Sequence, residues 1–273
     1  MSNKNNKKVS HTRRRKRKLN PLKLVIVLVA IGVFLFGVGK FSKGIYDALS
    51  NIGTKKISTE NQNSTEKQFD LGEEKKKVNA KYTVLVDPGH GGNDIGTESS
   101  RNVKNGSNNV YEKDIALEIA KKVASKLSKY NDIQVMITRT DDKFISLINR
   151  MNLANTSDVD VSVSIHLNAE SGGNTATGVE TYYRKNANDG SKELAKLVQE
   201  TIISYVEARD RGTREENYDM VKGVTMPAVL VECGFLTTPD EEKKLRNDKY
   251  QDQLAEGIAQ GILSHLDSKS KAQ

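Results

Sequence analysis

Residues 82–92, YTVLVDPGHGG, begin as a buried strand and end on a histidine wedged among glycines, in a chain with only four histidines. A short apolar run closed by Pro-Gly reads as a strand leaving a sheet. Two further stretches share this pattern. In DVSVSIHLNA, residues 160–169, the alternation of Val161, Val163 and Ile165 carries a strand, and His166 follows it directly. In MPAVLVECGF, residues 226–235, the continuous run from Ala228 to Val231 reads as a strand buried on both faces, ending at Glu232. Three strands are therefore expected to finish on His90, His166 and Glu232.

With strands over 82–87, 133–138, 160–165, 178–183 and 228–232, and amphipathic helices near 112–129, 145–156, 191–207 and 249–266, the chain alternates the two element types. That order predicts an α/β fold, a twisted, mixed and largely parallel sheet flanked by helices. Open sheets of this kind place their sites outside the carboxyl ends of the strands, where the three ionisable residues converge.

Glu112 opens the helix YEKDIALEIAKKVASKL and precedes Ile115, Ala116 and Ile119 by three, four and seven positions. Its carboxylate therefore projects from the inward stripe. Such an acid serves either the helix dipole or a metal. Two histidines and a carboxylate with one position left for water make the usual catalytic zinc set, although each imidazole taken singly fits a structural hydrogen bond better than a metal ligand. His11, in a basic arm, and His265, near the end of the last helix, fall outside this group. The glycines of GHGG suit either a close approach to the site or a tight turn.

Charge and hydropathy set the remaining bounds. Ten of the 43 Lys and Arg residues lie in positions 1–23 without any Asp or Glu, so beyond that arm 33 basic residues face 35 acidic ones. A body so nearly neutral gives no sign of a nucleic-acid surface. The arm runs into sixteen uncharged residues from Leu24 to Gly39, LVIVLVAIGVFLFGVG. The expectation is a basic cytoplasmic arm at 1–23 and a membrane anchor or signal-anchor at 24–40, with a single pass and everything beyond it outside the cell membrane. A cleavable signal peptide is the rival reading, with Gly37 and Gly39 as its small-x-small site. Residues 41–81 read as a polar stalk, 82–267 as the catalytic domain and 268–273 as a tail. The single cysteine, Cys233, excludes an intramolecular disulfide framework.

The segments VDPGHGG, EKDIALEIA, TRTDD, VSIHLNA, GVETYY and MPAVLVECGFLTTPDEE resemble, in order and spacing, the zinc-dependent N-acetylmuramoyl-L-alanine amidases of bacterial cell walls, type 3 catalytic-domain family. The resemblance covers residues 82–266. It implies one zinc, peptidoglycan as substrate, and hydrolysis of the amide between N-acetylmuramic acid and L-alanine. Carried over by position, it makes His90, Glu112 and His166 the metal ligands and Glu232 the catalytic carboxylate. Cys233, next along that strand, should face the opposite way into the core. The loop SSRNVKNGSNNV before Glu112 looks peculiar to this chain.

Arg139 and Asp141 are expected to form an ion pair tying loop to sheet, Asn168 to orient a histidine, and Asn217 to reach the peptide. A zinc carboxypeptidase would carry a short H-x-x-E segment, whereas His90 is followed by Gly91, Gly92 and Asn93. A non-catalytic wall-binding or activator protein would have lost a site residue. Vegetative wall remodelling and spore cortex processing both remain open, as does an activator protein as partner.

Overall fold

The computed structural model describes residues 80–100, 109–172 and 175–272. Its strands are β1 (Tyr82–Pro88), β2 (Ile133–Ile137), β3 (Val161–Asn168), β4 (Val179–Tyr183), β5 (Asp210–Glu215) and β6 (Ala228–Phe235). Its helices are α1 (Glu112–Leu127), α2 (Leu147–Thr156), α3 (Ser191–Tyr205), α4 (Asp219–Lys222), α5 (Pro239–Leu245) and α6 (Asp248–Ala272). One six-stranded sheet runs in the order β2-β1-β3-β6-β4-β5. The first four of these strands are mutually parallel, and β4 pairs antiparallel with β6 before β5 joins it in parallel. The sheet is thus mixed and largely parallel, as the alternating elements required.

Alternation along the strands divides the core. Val84, Val86, Val163, Ile165, Val229 and Val231 face α1, α3 and α6 in a large apolar cluster. In α1 the buried residues Ile115, Ile119, Ala120, Val123 and Leu127 recur at three- and four-residue spacing, which lays one stripe on the sheet. Each Ile, Val or Leu among them stabilises the fold by about 1.5–3 kcal/mol on full burial. On the other face, a smaller cluster joins Leu85, Ala228 and Leu230 to Ala154 of α2 and Val221 of α4. Farther along those same rows come His166 and Glu232, both partly exposed. The first face supplies most of the stabilising burial, so the far half of the second is free to hold polar groups.

Several boundaries differ from the sequence reading. β3 and β6 run past His166 and Glu232, so both residues lie within their strands and not at the last position. The final helix continues to Ala272 and takes in nearly all of the expected tail. β5, α4 and α5 were not anticipated. The first is a polar edge strand, DRGTRE, without an apolar alternation, and the helices are only four and seven residues long. No helix of the described residues is long and apolar enough to cross a membrane. The basic arm, the apolar run at 24–40, the stalk up to residue 79 and loop residues 101–108 lie outside the described residues.

Candidate active site

The site begins where β1 ends. Asp87 is fully buried, and its carboxylate lies 2.6 Å from Arg150 Nη1 while accepting the hydroxyls of Thr138 (2.6 Å) and Ser164 (2.7 Å). Burial pushes this carboxyl up, but the Arg150 charge and the three hydrogen bonds outweigh it and hold its pKa below the usual value. Arg150 also donates to the carbonyls of Pro88 (2.7 Å) and His90 (2.5 Å). Arg139 donates to those of Pro88 (3.2 Å) and Gly89 (2.7 Å). Two buried guanidiniums thus hold three successive carbonyls, and His90 is kept at φ 59°, a conformation that costs a non-glycine residue about 1–3 kcal/mol.

The turn carries His90 to Glu112 at the first position of α1 and His166 on β3. Ligand atoms of the three residues all lie within 4.8 Å of one another. Glu112 Oε1 is 2.9 Å from His166 Nδ1 and 3.1 Å from His90 Nε2, and it accepts the Leu167 N–H at 3.0 Å. Glu112 Oε2 accepts the Thr97 N–H at 2.7 Å. Burial of Glu112 favours its neutral form, yet the hydrogen bonds and charges of His166 and His90 prevail and hold it far below the ordinary carboxylate range. At His90 burial works against the cation, but Glu112 and Asp94 raise its pKa.

This donor set suits a divalent metal. The imidazoles and the carboxylate converge from three elements, and Asp94 Oδ1 sits 2.9 Å from His90 Nδ1, which turns Nε2 toward the shared point. Gly89 is required by space, because a Cβ there would stand 2.3 Å from His166 Cε1. GHGG accordingly serves a close approach, and its positive-φ Gly91 and Gly92 also make the turn.

Glu232 is the Cα partner of His166 across β3 and β6. Its Oε2 is buried without a hydrogen-bond partner. Burial pushes its pKa up to about 7; Glu112 and Glu180 add to that rise while His166 and His90 oppose it. A carboxyl so poised can take and return a proton near neutrality. Cys233 is wholly buried in the large cluster on the opposite face, as alternation required, and burial raises its thiol well out of the reactive range.

Two other expectations need correction. Arg139 makes no ion pair with Asp141; it donates to that residue's backbone carbonyl at 3.2 Å and spends its other donors on carbonyls of the His90 turn and of Lys113. Asn168 donates to Glu180 at 2.6 Å and not to a histidine. Asn217 Oδ1 accepts the Lys185 N–H at 3.2 Å. Sequence reading missed Asp94, four residues after His90, and Glu180, a buried acid inside the strand VETYY. A charge in an otherwise β-branched and aromatic strand was the available signal for the latter.

Comparison with known proteins bears on the chemistry of this arrangement. A family model described as N-acetylmuramoyl-L-alanine amidase matches residues 84–264. The chain belongs to that family. A solved N-acetylmuramoyl-L-alanine amidase of Clostridium difficile 630 is 64% identical, with a TM-score of 0.66, over 70% of this chain and 99% of the other. The sporulation-specific N-acetylmuramoyl-L-alanine amidase of Bacillus subtilis (strain 168) is 32% identical over 180 residues, 66% of this chain and 66% of the relative. The CwlD amidase of Clostridioides difficile, solved with the GerS lipoprotein, is 32% identical, with a TM-score of 0.62, over 68% of this chain and 99% of that one. An N-acetylmuramoyl-L-alanine amidase cuts an amide in peptidoglycan.

Proposed function

We propose that this amidase cleaves the bond between the lactyl group of N-acetylmuramic acid and L-alanine at a single zinc held by His90, Glu112 and His166. The observation that carries the reading is the convergence of these three side chains beside Glu232 Oε2, a buried carboxylate oxygen without a hydrogen-bond partner. Zinc in such a site supplies Lewis acidity toward a water and the scissile carbonyl. Glu232 accepts a proton from the attacking water as the C–O bond forms. It then delivers that proton to the L-alanine nitrogen as the C–N bond breaks. Asp94 fixes the His90 ring, and the Arg139 and Arg150 guanidiniums fix the backbone that carries it.

We place the catalytic domain outside the cell membrane, on a stalk behind a single-pass anchor; the ten cations ahead of the apolar run support that orientation. Membrane fractionation with external protease tests it, and a soluble mature form starting near Lys40 would refute it. The sporulation-specific relative supports a role in spore cortex processing, and the solved complex of CwlD with a lipoprotein supports an accessory protein as partner.

Digestion of defined peptidoglycan, read by mass spectrometry, tests the bond assignment. New L-alanine amino termini with no free D-alanine are expected. Release of D-alanine without peptide-free glycan would establish a carboxypeptidase instead.

A further inference from the structure

Beyond Glu232 the sheet continues into β4 and β5, and the same face carries a second buried acid. Glu180 is the antiparallel Cα partner of Glu232 and is only 2% exposed. Its Oε1 accepts from Asn168, while its Oε2 stands 3.2 Å from Arg211 Nε and 2.9 Å from Arg214 Nε. One carboxylate thus faces two guanidiniums. Oε2 receives no straight N–H from either, so the attraction there is one of charge.

The two arginines reach one face only through a local irregularity. Residues three apart on a regular strand point to opposite sides of a sheet. Between the pairs Val179↔Asp210 and Thr181↔Thr213, β5 carries one residue more than β4, and Gly212 in that interval has φ 75°. The bulge returns Arg214 to the face of Glu180, in register with Tyr182. Arg211 then lies 4.8 Å over the Phe235 ring with 21% of its side chain exposed, whereas the Arg214 side chain is 52% exposed. Because Arg214 meets Glu180 through Nε, its two Nη groups are left for another acceptor, in the fork geometry that suits a carboxylate.

We propose that Arg214, anchored by Glu180, binds the free α-carboxylate of the stem-peptide residue that follows L-alanine. This deepens the amidase reading and rests on it. Of the two halves of the substrate, the peptide is the one that carries carboxylates, so it runs over β4 and β5 and leaves the glycan to the His90 side. Adjacent strands are about 4.8 Å apart, which puts Arg214, leaning back to β4, about 5–10 Å from Glu232. An extended peptide advances about 3.5 Å per residue, so the carboxylate that fits is the one on the residue next to L-alanine. In peptidoglycan that residue is a γ-linked glutamate whose α-carboxylate is either free or amidated. Amidation removes the charge while leaving the shape.

The test uses the zinc-loaded full chain on two uncrosslinked glycan-linked substrates, alike except that this α-carboxylate is free or amidated. In the wild type kcat/KM should favour the free acid by about tenfold or more, the scale of one charge-assisted contact. In Arg214→Gln the ratio should fall toward one, mainly through KM, and Arg214→Lys should restore part of it. A wild-type ratio near one, or a ratio unchanged in Arg214→Gln, overturns the assignment while leaving the amidase reading intact. Failure of the wild type to cut either substrate would bring down both.

Discussion

Arg150 Nη2 donates to the carbonyl oxygen of His90 across 2.5 Å, although sixty positions separate the two residues. The same guanidinium neutralises Asp87, so one buried cation both closes a charge pair and shapes the backbone that presents a metal ligand.

Arg150→Met should therefore destabilise the protein by about 3–5 kcal/mol at neutral pH, because it strands Asp87 as an uncompensated buried charge. With its pKa lowered in the native protein, Asp87 contributes stability that is complete above the ordinary carboxylate pKa and is lost as pH falls below it. In the variant the unpaired Asp87 favours its neutral form, so the deficit should shrink on acidification. Urea denaturation at pH 7 and pH 4 measures this; an equal deficit at both values would contradict the role given to Asp87.

Metal binding and proton transfer separate by residue. His90→Ala or His166→Ala should abolish stoichiometric zinc. Glu232→Gln should keep the metal while lowering turnover about 10²- to 10⁴-fold. Elemental analysis beside rate measurements distinguishes them, and a zinc-free Gln variant would make Glu232 a ligand.

Asp94 acts through His90. Its removal in Asp94→Ala should weaken zinc binding by about 10- to 100-fold without unfolding the domain, since the carboxylate fixes the ring by one contact. Competition with a chelating dye reads the affinity. Wild-type affinity in a folded variant would show that the turn alone orients the imidazole.

The metal-free protein should also reveal the Glu232 environment. A carboxyl raised to about 7 in the fold but ordinary when unfolded binds more protons in the native state between those two values. Stability from this group is then greatest at low pH and declines as pH rises through that window. Glu232→Gln should accordingly raise the Tm of the metal-free protein at pH 8 and leave it nearly unaltered at pH 4. Calorimetry at the two pH values decides, and a lowered Tm at pH 8 would reverse the inferred electrostatics.

Much of the site could be read from local periodicity. The run ending in GHGG, the alternation before His166, the inward stripe below Glu112 and the opposed faces of Glu232 and Cys233 each follow from a period of two or 3.6. Such periods assign a face to each residue within its own element, and the family motifs supplied roles for four of them. What periodicity does not contain is which strand lies beside which. Only the tertiary structure set Glu180 opposite Glu232, because β4 runs against β6 and their register is fixed by packing from both faces. It alone brought Arg150 of α2 to the His90 turn as its anchor. It also disclosed β5, whose charged residues mark an edge strand and not an apolar core, and the Gly212 bulge that sets two arginines on one carboxylate. Local pattern decides where a side chain points; the contacts that complete a buried charge come from distant segments and exist only once the sheet has assembled.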